Sequence, residues 1–142
     1  MKTILAWVVP LALWTTPTFA QGALTVKVTG FKTDKGYCKI WLFKSADGFP
    51  SDDKKALRCV EAPIKGLTSQ FVFDLLPAGN YALGVAHDEN GNHQLDYNLF
   101  RIPKEAYGIS NDARGGMSGP PTFEEAVLRV SSTGLTVTVN VK

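Results

Sequence analysis

Asp88, Asn90, Asn92, Gln94 and Asp96 occupy alternate positions of one run, His87-Asp88-Glu89-Asn90-Gly91-Asn92-His93-Gln94-Leu95-Asp96. Calcium takes roughly six to eight oxygens from carboxylates, side-chain amides, backbone carbonyls and water. With Asp88 as the first position, four oxygen-bearing side chains and the Gln94 carbonyl fall at every other position of a calcium-binding loop. Two features of such a loop are missing. His93 stands where glycine makes the sharp turn, and Leu99 stands where a closing glutamate would bind through both oxygens. Asp88 and Asp96 alone of these side chains carry charge, so modest affinity is expected unless Glu89, Glu105 or Asp112 folds in. The same residues also make sense without an ion. Asp and Asn side chains bond backbone N–H groups two residues on and tolerate left-handed conformations, and Asn90-Gly91 is a tight-turn signal. Both readings stay open at this point.

Other chemistry is thinner. His87 and His93, with no thiol nearby, are too few for a zinc site without carboxylate help. Ser110, His87 and Asp88 have the residue types of a nucleophilic triad, but no G-x-S-x-G turn presents the serine, and Ser118 does not fit that pattern either. A carboxylate pair, Asp88 with Asp96 or Glu105, has the groups for glycoside hydrolysis but little cleft to work in. A small secreted hydrolase acting through His87, Asp88 and Glu105 is therefore the alternative reading. Cys38 and Cys59 are expected to form one structural disulfide, because an even count in an exported chain favours a bridge and neither lies in a C-x-x-C.

The elements that must position these groups are strands. Apolar residues alternate with polar ones at Leu24–Val28, Cys38–Leu42, Phe71–Leu75, Tyr81–Val85, Ala126–Val130 and Leu135–Val141, with a weaker run over Leu57–Ile64. Turn residues separate them: Asp34-Lys35-Gly36, Pro77-Ala78-Gly79-Asn80 and Ser131-Ser132-Thr133-Gly134. The expectation is an all-β, antiparallel, seven-stranded immunoglobulin- or transthyretin-like sandwich, closed by a hairpin over Ala126–Val141. Single helical turns are expected near Ser51–Ala56 and Pro103–Tyr107. The small-residue row Ala82, Gly84, Ala86 is expected to admit close sheet-to-sheet packing.

One connection breaks the rule of short loops. From Asp88 to about Phe123 no strand is expected, yet the segment is rich in apolar residues, so it should fold against the sandwich as one long ordered loop. Tyr97, Phe100, Glu105 and Tyr107 are the residues expected on its binding surface.

Residues 1–20 read as a secretory signal peptide. Lys2 starts it, an apolar stretch follows, and Thr18-Phe19-Ala20 is the cleavage site. Residues 21–142 are then a single domain, exported to the periplasm or beyond, with no membrane span. The formal net charge of +2 becomes +1 without Lys2, which gives no electrostatic reason for nucleic acid or an anionic membrane as partner. The expected partner is a protein or a glycan.

From Leu76-Pro77-Ala78-Gly79-Asn80-Tyr81-Ala82 onward the chain resembles a bacterial family, domain of unknown function 2141. The shared pattern continues through His87–Asp96, Ile102-Pro103-Lys104-Glu105-Ala106-Tyr107-Gly108 and Ser110-Asn111. Pro121-Thr122-Phe123-Glu124-Glu125-Ala126 is similar to the family's re-entry into a strand. The resemblance covers essentially the whole chain after residue 20. Arg101 and Ala106 depart from it, standing where glycine is usual. The resemblance implies a small exported β-sandwich and no assigned activity. The Leu76–Tyr81 turn is also similar to transthyretin-like modules. The tyrosine-arginine-glycine-serine end of the transthyretin-like hydrolases is absent here, where the chain ends Val139-Asn140-Val141-Lys142. The expectation drawn from all of this is a non-enzymatic binding module with a calcium-ordered loop at 88–123; a purely structural envelope protein is the third reading.

Overall fold

A computed structural model describes residues 20–117 and 119–142. The expected signal peptide lies, but for its last residue, outside them. The described chain is all-β. Its strands are β1 (Gln21–Thr29), β2 (Tyr37–Phe43), β3 (Arg58–Pro63), β4 (Ser69–Pro77), β5 (Gly79–Asp88), β6 (Tyr107–Ile109), β7 (Leu128–Val130) and β8 (Leu135–Asn140). One sheet has the order β4-β1-β8. The other has the order β3-β2-β5-β6, with β7 paired to the start of β5. No helix among the described residues is long and apolar enough to cross a membrane.

Period-two alternation explains the core. Leu24, Val26 and Val28 from β1, Phe73 and Leu76 from β4, and Val139 from β8 meet Cys38, Ile40, Leu42, Tyr81, Leu83 and Val85 from the second sheet in one buried cluster. Each fully buried large side chain there contributes about 1.5–3 kcal/mol. Tyr81 keeps its polar end satisfied, its hydroxyl donating to the Pro77 carbonyl at 2.8 Å.

The second sheet is buried on its other face too. Trp41, Phe43 and Ala86 pack there against Phe49, Ala56, Leu95 and Phe123, and Ala82 packs with Ile109 and Ala126. The Ala82–Gly84–Ala86 row therefore faces this outer layer and not the opposing sheet. A side chain at Gly84 would place its Cβ 2.0 Å from the Pro50 carbonyl oxygen, so the row lets a loop backbone lie directly on the sheet.

Several expectations are corrected. The sheets are not purely antiparallel, because β1 pairs with β8 in parallel register. Strands number eight among the described residues, because β6 pairs with Gly84–Ala86 inside the segment expected to hold none. The expected closing hairpin does not form: β7 joins β5 while β8 crosses to β1. Pro121–Ala126 does not enter a strand directly. It forms a short helix, α1 (Phe123–Ala126), held by a capping box between Thr122 and Glu125.

The disulfide is also absent, and the register gives the reason. Cys38 lies opposite Ala62, and Cys59 lies opposite Trp41 on the neighbouring strand. An odd offset on paired strands puts the two thiols on opposite faces of the sheet, where no bridge can close. Both are free, Cys38 buried and Cys59 exposed. Burial, only partly offset by a hydrogen bond with Ser69, pushes the Cys38 thiol up to about 12. Partial desolvation by its neighbours and the Asp53 charge push Cys59 up to about 11. Neither is a reactive thiolate at neutral pH.

Candidate functional site

The site begins where β5 ends. Alternation sends His87 into the core and Asp88 to the outer face. The His87 ring lies edge-on to Phe31, and its Nε2 is 2.8 Å from the Lys35 carbonyl. His87 therefore caps the core, and His87, Asp88 and Glu105 do not converge. Ser110 is 1 % exposed. Its hydroxyl donates to the Ala126 carbonyl at 2.6 Å and accepts the Leu83 N–H at 2.9 Å, so it is a fastening between β5 and α1 and not a presented nucleophile.

Asp88, itself 1 % exposed, is the hub of the loop. Its Oδ1 accepts the Gly91 N–H at 2.8 Å and the Asn92 N–H at 3.2 Å, and its Oδ2 accepts the His93 N–H at 2.8 Å. Asn90 Oδ1 accepts the Asn92 N–H and Asn92 Oδ1 the Gln94 N–H, both at 2.9 Å. These are successive Asx turns. His93 takes φ +63°, the left-handed conformation that glycine would ordinarily supply at this point of the loop. The side chains of Asn90 and Asn92 then turn their amide groups onto Asp96, donating to Oδ2 at 2.7 Å and Oδ1 at 3.0 Å.

Glu105 closes the loop from the far side. Its two oxygens accept the N–H groups of Glu89 and Asp96, each at 3.3 Å. Burial pushes its carboxyl above the usual range, and the charges of Asp88 and Asp96 add to this against the pull of the two N–H groups. Glu105, half-buried, thus fastens the loop backbone from the returning limb of the excursion. The charges of Asp88 and Asp96 both reach Glu105, and two side-chain amides lace Asp96 to the loop. Nearby, Glu61, Asp88 and His93 each bring a donor atom within 4.8 Å of the others. The His93 Nδ1–Glu61 contact of 2.8 Å and the stacking of His93 on Tyr37 account for that grouping as a clamp between loop and sheet.

A second fastening was not read from the sequence. Lys39, 4 % exposed on the outer face of β2, donates to Asp53 Oδ2 at 2.8 Å and to the His93 carbonyl, and lies 5.3 Å over the Trp41 ring. Trp41 Nε1 donates to the other Asp53 oxygen. Burial raises the Asp53 carboxyl, but the hydrogen bonds from Lys39 and Trp41 outweigh it and hold the group below its usual range. Gln94 lies beside this group, lining a dent with Lys39, Trp41 and Asp53. The signal for Lys39 was its neighbour: a tryptophan on the same face of the strand implies that the face is covered.

Beyond Asp96 the chain folds back on itself, with the Asn98 side chain accepting the N–H groups of Phe100 and Ile102. It forms one wall of a cleft of about 670 Å3 lined by Pro50, Tyr97, Phe100, Ile102, Tyr107 and Pro121 among others. The Tyr97 hydroxyl lies 3.1 Å from Ser51 Oγ across the cleft. Phe100 is 83 % exposed, and Leu99, Ile102 and Met117 are exposed beside it. Phe100, Ile102 and Met117 share the cleft's lining, so these exposed apolar side chains are gathered at one face.

The molecule is thus an all-β protein of two sheets whose strand β5 opens into an Asx-built acidic loop and an aromatic cleft. The chain belongs to the family described as uncharacterized protein conserved in bacteria, domain of unknown function 2141, which matches residues 26–138. Neither a curated protein nor a solved structure matches it.

Proposed function

We propose that this is an exported, non-enzymatic binding module. In the finer fold reading its two sheets form an immunoglobulin- or transthyretin-like sandwich, and the 88–123 excursion carries its function. Calcium orders the loop at 88–96, and the cleft beside it receives the ligand. The observation that supports the reading is an Asx loop hung on buried Asp88, with the charges of Asp88 and Asp96 both felt at Glu105, that leads directly into an exposed aromatic surface. Glu105 supplies the third carboxylate that the linear motif lacks. Export rests on residues 1–20.

A bound cation would take the place that the Asn90 and Asn92 amide groups hold against Asp96. At millimolar calcium and a sub-millimolar dissociation constant, linkage gives about 1–2 kcal/mol of added stability. The melting temperature of residues 21–142 is therefore expected to rise by roughly 3–8 °C over that in chelator. Asp96→Ala should remove the rise. Because the Glu105 carboxyl takes up its proton at a higher pH than an ordinary glutamate, the rise should fade as acid is approached through that raised value. An identical melt with calcium and with chelator would sink the cation proposal.

The cleft is tested separately. A neutral apolar dye, phenylnaphthylamine, is expected to bind, and Tyr97→Ala combined with Phe100→Ser should weaken it about tenfold. Equal fluorescence from wild type and double variant would refute the cleft as the binding face.

A further inference from the structure

We propose that the cleft takes a small amphiphilic anion, an apolar body carrying one carboxylate set against Arg101. The inference rests on the binding reading above and names the chemistry of its ligand.

The lining is mostly apolar and aromatic, with Ser51 polar and Arg101 its one charged residue, and holds no carboxylate. Among the described residues the Arg101 guanidinium has no ion-pair partner, whereas Arg114 is paired with Asp112 at 2.9 Å. The backbone supplies a second argument. Arg101 sits at φ +59°, closing a turn through its N–H to the Asn98 carbonyl at 3.0 Å. That turn uses nothing of the side chain, and glycine would hold it without strain. The fold thus keeps a long cationic side chain at a strained position where, among the described residues, no ion pair or cation–π contact employs it. A guanidinium stays charged at all physiological pH values and meets a carboxylate through two parallel N–H donors. A cleft of about 670 Å3 suits a small ligand of mixed character, because such sites are largely apolar with a few polar groups that fix orientation. Tyr97, Phe100 and Tyr107 offer ring faces for its apolar body.

The test uses residues 21–142 with two dyes of similar body, anionic anilinonaphthalene sulfonate and neutral phenylnaphthylamine. Arg101→Gln is expected to weaken the anionic dye about fivefold, the scale of one exposed ion pair, and to leave the neutral dye unchanged. Arg101→Gly should do the same while melting no lower than wild type, which separates loss of the charge from loss of the fold. Dodecanoate should displace the neutral dye from wild type more strongly than dodecanol, and equally in Arg101→Gln. Unchanged anionic affinity in both Arg101 variants overturns the proposal while leaving the cleft standing. Failure of both dyes overturns the cleft as well. Displacement by an uncharged saccharide, with none by dodecanoate, also overturns it.

Discussion

Replacing Asp88 by alanine is expected to lower stability in chelator by about 3 kcal/mol. The carboxylate accepts three backbone N–H groups, from Gly91, Asn92 and His93, and is itself buried. A hydrogen bond to a charged acceptor is worth about 1.5–3 kcal/mol, and a buried donor left unsatisfied costs a similar amount. Summing three such bonds would overshoot, because water reaches Gly91 and Asn92 once the loop loosens. His93 is held more firmly, by Glu61 and Tyr37, so its N–H is the one left facing an empty site. Asp88→Asn should lose about half as much, since one oxygen remains for Gly91 and Asn92 while the new amide group opposes the His93 N–H. Urea unfolding with an unchanged m-value measures the loss. Amide exchange of Gly91, Asn92 and His93 should accelerate in the same variant before any change at β1 or β2. A cost below about 1 kcal/mol with protection intact would show that the loop does not hang on Asp88.

The sequence carried the all-β class because period two survives wherever one face of a strand meets the core. It failed where something else set the parity. Leu75 continues the Phe71–Phe73 row, yet it is 69 % exposed with φ +56°. A register shift between β1 and β4 inserts a residue there and brings Leu76 inward instead. The cysteines failed for the same reason: composition counts thiols, but register decides which face each occupies. Lys39 alternates with core residues as a solvent-facing lysine would; Trp41 on the same face says that something covers it, but not that Asp53 and the His93 carbonyl do. The loop was legible in kind, because Asp and Asn at alternate positions have few other uses. That Glu105 folds in beside Asp88 and Asp96 was not, because the contact spans Asp88 to Glu105 and depends on how the excursion returns. Arg101 was visible as a break in pattern, but only the backbone angle turned the break into an argument.

Gly84→Ala is expected to cost about 3 kcal/mol, at the upper end of what overpacking a filled site does. The added Cβ would lie 2.0 Å from the Pro50 carbonyl oxygen and 3.1 Å from its carbon. Both are backbone atoms, so no side-chain rotation relieves the clash. Either β5 bends or the segment around Pro50 lifts from the sheet. Lifting is the cheaper route, because β5 is bonded to β2 and β6 on its two sides. It would still part Phe49 from Phe43 and Phe123, which it meets edge-on at 5.5 Å and 6.0 Å. Through the same segment it would draw Asp53 away from Lys39, leaving a buried ammonium short of its carboxylate, itself a costly state. Gly79→Ala is the control, since its Cβ would meet nothing closer than 3.8 Å and the change should stay within about 0.5 kcal/mol. Pro50 also lines the cleft, so Gly84→Ala should weaken the neutral dye at temperatures where the protein is still folded. Loss of stability without loss of dye would mean that β5 yields and the outer layer stays put. Loss of both would mean that one glycine on β5 holds the outer layer, the Lys39 fastening and the cleft wall in place together.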